Sequence, residues 1–206
     1  MRPDRPKRPH RLVRWGRFCV FALLAAFALL TLVRAFVVDV YSVPSESMEP
    51  ALRPGDRIAV LKWPWQRTAR TDDVVVFDGR GSLAPESPDG ARRTAAWLVG
   101  RNEGDQFVKR VAAVGPARVT CKGADGALLL NGQPAGAASA PLTGAENCGR
   151  KRFDSLVPEG RLWLLGDNRA HSTDSRDLLG APGGGAVPDA RVVGRVIAVW
   201  HTGGGS

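Results

Sequence analysis

Histidine is scarce in this chain, with only His10, His171 and His201 among 206 residues. His10 lies in a basic tail, His201 near the end and His171 in a polar loop, so a Ser-His-Asp triad has no well-placed base. Cysteine is equally scarce: Cys19, Cys121 and Cys148. Neither their spacing nor any nearby histidine suits a metal site, and no cofactor is expected. There is one long apolar run and no second, which limits the chain to one membrane crossing and leaves the rest as a water-exposed body. No internal repeat is present, and no long helical period follows the apolar run. At this length the body can hold one sizeable core or two small ones.

Positive charge is plentiful but unevenly placed. Of the formal +9, residues 1–17 carry +6, because seven Arg and Lys oppose only Asp4. The remaining +3 is spread over 189 residues, which argues against a nucleic-acid partner that would need a basic face. A basic tail directly before an apolar run is the pattern of a cytoplasmic flank. The run from Phe18 to Val38, interrupted only by Arg34, has 21 residues and matches a bilayer core of about 30 Å. A cleaved signal peptide would have a shorter core ending in a small-residue site, and Val37-Val38-Asp39-Val40-Tyr41 offers none. A buried helix of a soluble domain is the third reading, but no polar face is visible. The expectation is an uncleaved anchor with its N-terminus inside and the body outside the cytoplasmic membrane.

After the anchor the pattern becomes short strands parted by Gly and Pro. Strands are expected at Phe36–Ser42, Arg57–Trp63, Val74–Phe77, Gln106–Val114, Arg161–Leu165 and Val192–Trp200, with a hairpin around Asp125-Gly126. The fold class is therefore mainly β: a transmembrane helix, then an antiparallel sheet or partial barrel with a small β subdomain. The divisions are 1–17 tail, 18–38 anchor, 39–120 first part of the β body, 121–150 inserted subdomain, 151–201 second part and 202–206 flexible end. Residues 79–93 read as a variable loop. Cys121 and Cys148 would gain about 3 kcal/mol of stability from a disulfide, and two buried free thiols are the alternative.

Three segments carry chemistry. In Val43-Pro44-Ser45-Glu46-Ser47-Met48-Glu49-Pro50 the prolines forbid regular structure and can leave a hydroxyl and free N–H groups on a turn. Gln106-Phe107-Val108-Lys109-Arg110-Val111 puts a lysine between Phe107 and Val111 on one strand face. Burial there would lower its proton affinity and make it a usable base. Gly166-Asp167-Asn168-Arg169-Ala170-His171-Ser172-Thr173-Asp174-Ser175-Arg176 is a polar loop after a strand. Lys62, beside Trp63 and Trp65, reads as a solvated or interfacial lysine.

Together these segments resemble bacterial type I signal peptidases (leader peptidases, serine protease family S26), over roughly residues 30–62, 105–116 and 161–200. The resemblance implies a hydrolase that cuts signal peptides from exported preproteins after a small-X-small motif. It implies Ser47 as nucleophile, the Ser47 N–H and the Ser45 hydroxyl as oxyanion hole, and Lys109 as base. Ser172 would hydrogen-bond Lys109, Asp174 would pair with Arg176 and reach Arg110, and Asp167 and Asn168 would brace backbone. Met48 would pack beneath the site and contact substrate or membrane. Implied partners are signal peptides, the lipid bilayer and the secretion translocase, with Trp63 and Trp65 at the interface. Ala51 replaces the family's usual threonine, and Ala113-Val114-Gly115-Pro116-Ala117 stands where Gly-Leu-Pro-Gly-Asp is usual. Two other readings remain: a catalytically silent membrane-tethered scaffold, and a specialised peptidase for pilins or conjugation proteins.

Overall fold

The computed structural model describes residues 10–62, 69–83, 105–122, 127–135, 148 and 151–201. The chain divides into two compact units, Met1–Val37 and Val38–Ser206.

The first unit is one helix, α1 (His10–Phe36, 27 residues). Leu and Ala dominate it and favour helix, and it starts inside the segment expected to be a tail. At 1.5 Å per residue it is about 40 Å long, enough to cross a bilayer core. The window Trp15–Leu32 has mean hydropathy 1.9 and none of it is buried. Phe18, Phe21, Leu23 and Phe27 are each about two-thirds exposed. The helix is long and apolar enough to serve as a single membrane anchor. The first strand opens at Val38, within the expected strand Phe36–Ser42.

The second unit is built on a seven-stranded antiparallel sheet. Its strands are β1 (Val38–Ser42), β2 (Arg57–Leu61), β3 (Val74–Asp78), β4 (Gln106–Val114), β9 (Arg161–Leu165), β10 (Val187–Pro188) and β11 (Val192–Trp200). They lie in the order β1-β2-β11-β3-β4-β9-β10. The last strand thus runs between β2 and β3, pairing with both. Its register shifts against β2 between Val196 and Ala198 and against β3 between Val192 and Gly194. A Cβ at Gly194 would stand 2.4 Å from the Leu61 carbonyl oxygen, so only glycine permits so close an approach.

A second sheet, β7-β6-β5-β8, comprises β5 (Ala117–Lys122), β6 (Ala127–Leu130), β7 (Gln133–Pro134) and β8 (Phe153–Val157). The expected hairpin is the β5–β6 pair, with Cys121 opposite Leu128. Cys121 and Cys148 are joined in a disulfide, and both are fully buried. They share a core with Ala112, Ala113, Trp163 and Leu165 of β4 and β9, so the small sheet packs directly on the large one. A second core gathers Tyr41, Met48, Leu52, Ile58, Val60 and Val76. A third gathers Val75, Phe77, Val111, Leu162, Leu164 and Val187.

Lys62 departs from expectation. Its side chain is 13% exposed and its Nζ lies 2.7 Å from Asp39 Oδ2, whose side chain is fully buried. An ammonium cannot sit beside a buried carboxylate and also serve as a solvated surface group; it forms an ion pair joining β1 to the end of β2. Trp63, Trp65 and residues 84–93 of the expected loop lie outside the described residues. His201, near the end of the sequence, has its Nδ1 2.9 Å from Asp56 Oδ2.

Candidate active site

The turn carrying Ser47 is closed at its neck by backbone. Val43 N–H donates to the Asp56 carbonyl and Gly55 N–H to the Val43 carbonyl, both at 2.8 Å. Asp56 Oδ2 accepts the Arg53 N–H at 2.8 Å, which shapes the return. Within this loop Glu46–Met48 forms a single 3₁₀ turn after an extended Ser45. Met48 and Leu52 point into the core at 1% and 2% exposure, so their burial fastens the turn from below. Ser47 is left nearly enclosed, with the Ser45 hydroxyl donating to Ser47 Oγ at 3.3 Å.

Lys109 comes from the middle of β4, opposite Val75 of β3. Its Nζ donates to Ser47 Oγ at 2.7 Å, and this is its hydrogen bond among the described residues. The lysine is 3% exposed. Burial pulls its pKa from 10.5 down to about 8, with Asp174 opposing the fall and Arg176 adding to it. The reason is physical: an ammonium loses hydration on entering this site and meets a neutral hydroxyl in return.

The loop after β9 closes the site. Asn168 N–H donates to the Ser47 carbonyl at 3.1 Å, and Asn168 Nδ2 donates to the Glu46 carbonyl at 3.2 Å. His171 Nδ1 lies 3.2 Å from Glu46 Oε1. Gly166 is the point of closest approach, since a Cβ there would stand 2.2 Å from Ser172 Oγ and 2.5 Å from the Ser47 carbonyl oxygen. Any side chain at 166 would push the closing loop off the turn that carries Ser47.

Two arginine–carboxylate forks stiffen the surroundings. Arg110 donates to both oxygens of buried Asp167 at 2.7 and 2.6 Å, and that pairing raises the arginine's pKa further. Arg176 donates to both oxygens of buried Asp174 at 2.8 Å. Asp174 also caps the 3₁₀ turn Ser175–Asp177, and its Oδ2 accepts the Gly166 N–H at 3.1 Å. Arg169 is buried as well; desolvation and nearby Arg176 bring its pKa down to about 10, while its Nε donates to the Gly166 carbonyl at 2.8 Å.

Comparison with known proteins now bears on this geometry. The family model for signal peptidase, peptidase S26, matches residues 12–201. The chain belongs to the signal peptidase S26 family. A probable signal peptidase I of Mycobacterium leprae is 34% identical over 213 residues, covering 85% of this chain and 73% of the relative. Signal peptidase I of Mycobacterium tuberculosis (strain ATCC 25618 / H37Rv) is 35% identical over 211 residues, covering 85% and 69%. The signal peptidase I of Leptolyngbya laminosa is 30% identical over 175 residues, covering 82% and 71%.

Within this S26 chain the structure brings together Ser45, Ser47, Met48, Lys109, Asp174 and Arg176. Two expected contacts differ. Arg110 pairs with Asp167 rather than approaching Asp174, because the register sets Arg110 opposite Leu165, two residues before Asp167. Ser172 does not bond Lys109: its Oγ is buried beside Gly166 without a hydrogen-bond partner, and the lysine's reach is taken by Ser47. Sequence reasoning overlooked Arg169, and its position within the polar loop carried no local hint of burial. Among the described residues no group of three His, Cys, Asp or Glu is placed to hold a metal.

Proposed function

We propose that this chain is a membrane-anchored serine endopeptidase that removes signal peptides from exported preproteins by a Ser47/Lys109 dyad. The observation that carries the reading is the 2.7 Å contact between two enclosed groups, Lys109 Nζ and Ser47 Oγ. With the amine neutral, the same contact runs the other way and the hydroxyl donates to nitrogen. Ser47 Oγ then bonds to the scissile carbonyl carbon while Lys109 takes the proton. The Ser47 N–H and the Ser45 hydroxyl face the oxyanion, and preorganised donors of this kind are worth about 10²–10³ each in rate. Collapse breaks the C–N bond, and the departing amine receives the proton from Lys109. Water repeats the cycle on the acyl-enzyme and releases the peptide as a carboxylate.

The closing-loop residues have supporting roles in this reading. Asp174, Arg176 and Arg110 fix the loop and the charge around the base, and Ser172 has a free hydroxyl to offer the amine once Ser47 is acylated. Met48 seats the turn. Substrate is taken as an extended strand with small residues at the first and third positions before the cut. Residues 1–17 stay in the cytoplasm, α1 spans the bilayer, and the body from residue 39 onward works outside, with the translocase as source of substrate. The reaction depends on neutral Lys109: with a pKa of about 8, roughly one molecule in ten is competent at pH 7, and activity climbs through pH 8.

The test is cleavage of a preprotein in detergent or lipid by wild type, Ser47→Ala and Lys109→Ala, with the cut site read by mass spectrometry. The expected result is cleavage after a small-X-small motif by wild type alone. Residual cleavage by Lys109→Ala would remove the lysine from the mechanism, and an inert wild type on several preproteins would favour the scaffold reading.

A further inference from the structure

Arg176 holds more than Asp174. While its Nε and Nη2 grip that carboxylate, its Nη1 donates to the Cys148 carbonyl at 3.0 Å, a buried contact. Cys148 is covalently tied to Cys121 of β5. The disulfide packs against Ala112 and Ala113 of β4, just beyond Lys109, and against Leu165 of β9, just before Gly166. A second tie comes from the same side, since Lys151 forms an ion pair with Asp177 in the 3₁₀ turn that Asp174 caps.

We propose that the Cys121–Cys148 disulfide is a positioning element for the base: it holds the Cys148 carbonyl against Arg176 and so keeps the Asp174–Arg176 fork in place behind Lys109. The proposal rests on the Ser47/Lys109 reading of the site. A guanidinium presents fixed donors, so losing one acceptor alters how it sits on the other. Asp174 and Arg176 exert the two strongest charge effects on Lys109, in opposite directions, and Asp167 and Asp177 add weaker effects in the sense of Asp174. If the fork loosens, Asp174 acts with less opposition and water reaches the amine. Both changes make Lys109 hold its proton more tightly, so the enzyme needs a higher pH.

The test compares full-length wild type with Cys121→Ala/Cys148→Ala in detergent, measuring kcat/KM from about pH 6 to about pH 11. The expected profile is displaced upward by half to one pH unit, roughly a three- to tenfold loss at pH 7 that disappears at the alkaline plateau. A disulfide acting only as a staple would reduce thermal stability and leave the profile in place, and that result overturns the proposal. If the double variant does not fold, wild type reduced after folding with dithiothreitol, its released thiols counted, must show the same displacement; an unmoved profile is equally fatal. Ser47→Ala and Lys109→Ala run alongside. If Lys109→Ala stays active, the dyad reading fails and this inference with it, whereas an inactive Lys109→Ala with an unmoved disulfide profile rejects the disulfide role alone.

Discussion

Lys62 and Lys109 are both drawn into the same unit, and each has its Nζ 2.7 Å from a side-chain oxygen. At the end of β2 that oxygen belongs to the buried carboxylate of Asp39, and the Tyr41 ring centroid is 5.7 Å from Lys62 Nζ. In β4 it belongs to the hydroxyl of Ser47. Distance therefore does not separate the two sites; the charge of the acceptor does. A carboxylate answers an ammonium with full opposite charge and makes a strut between strands. A hydroxyl leaves the burial penalty standing and makes a proton acceptor.

Removing Lys109 is expected to have the largest effect. Lys109→Met should lower kcat/KM by about 10³-fold or more, from the loss of general base catalysis. The same variant should be more stable than wild type at pH 7. The lysine's folded pKa of about 8 lies below its ordinary 10.5, so the unfolded chain binds more protons between those values. Its contribution to stability is complete above pH 10.5 and falls away as pH drops to 8. The penalty remaining at pH 7 is about 3 kcal/mol. Denaturant titrations at pH 7 and pH 10.5 check this, and a wild type as stable at one as at the other would break the comparison.

Asp39→Ala comes next. It leaves the Lys62 ammonium without its carboxylate in a largely enclosed place, at a cost of about 3 kcal/mol. Adding Lys62→Met should recover much of that, and a double-mutant cycle by urea unfolding measures the coupling. The finest distinction comes from arginine at both sites. Lys62→Arg keeps a cation on Asp39 and should change stability by about 1 kcal/mol or less. Lys109→Arg cannot be deprotonated in the working range and should abolish cleavage.

Much of this was legible locally. The apolar run, the strands Gln106–Val114, Arg161–Leu165 and Val192–Trp200, and the Ser47 and Lys109 segments are written in short-range pattern. What escaped depends on pairing between distant strands. Asp39 and Lys62 meet because β1 and β2 are antiparallel, with Asp39 opposite Val60, and neither residue signals the other. Arg110 finds Asp167 through the β4–β9 register. Strand β8 was hidden because a serine holds one of its inward positions, between Phe153 and Val157. The cysteine pairing could not be decided from spacing, since closure depends on where β5 lies.

Strand β11 gives the molecule an order of completion. The Ser47 side of the sheet, β1 and β2, and the Lys109 side, β3, β4, β9 and β10, are joined by residues 192–200, the last of the sheet's strands in chain order. Asn168, which grips the Ser47 carbonyl, is also synthesised late. A chain interrupted before residue 192 therefore contains both Ser47 and Lys109 but lacks the seam that brings their strands into one sheet.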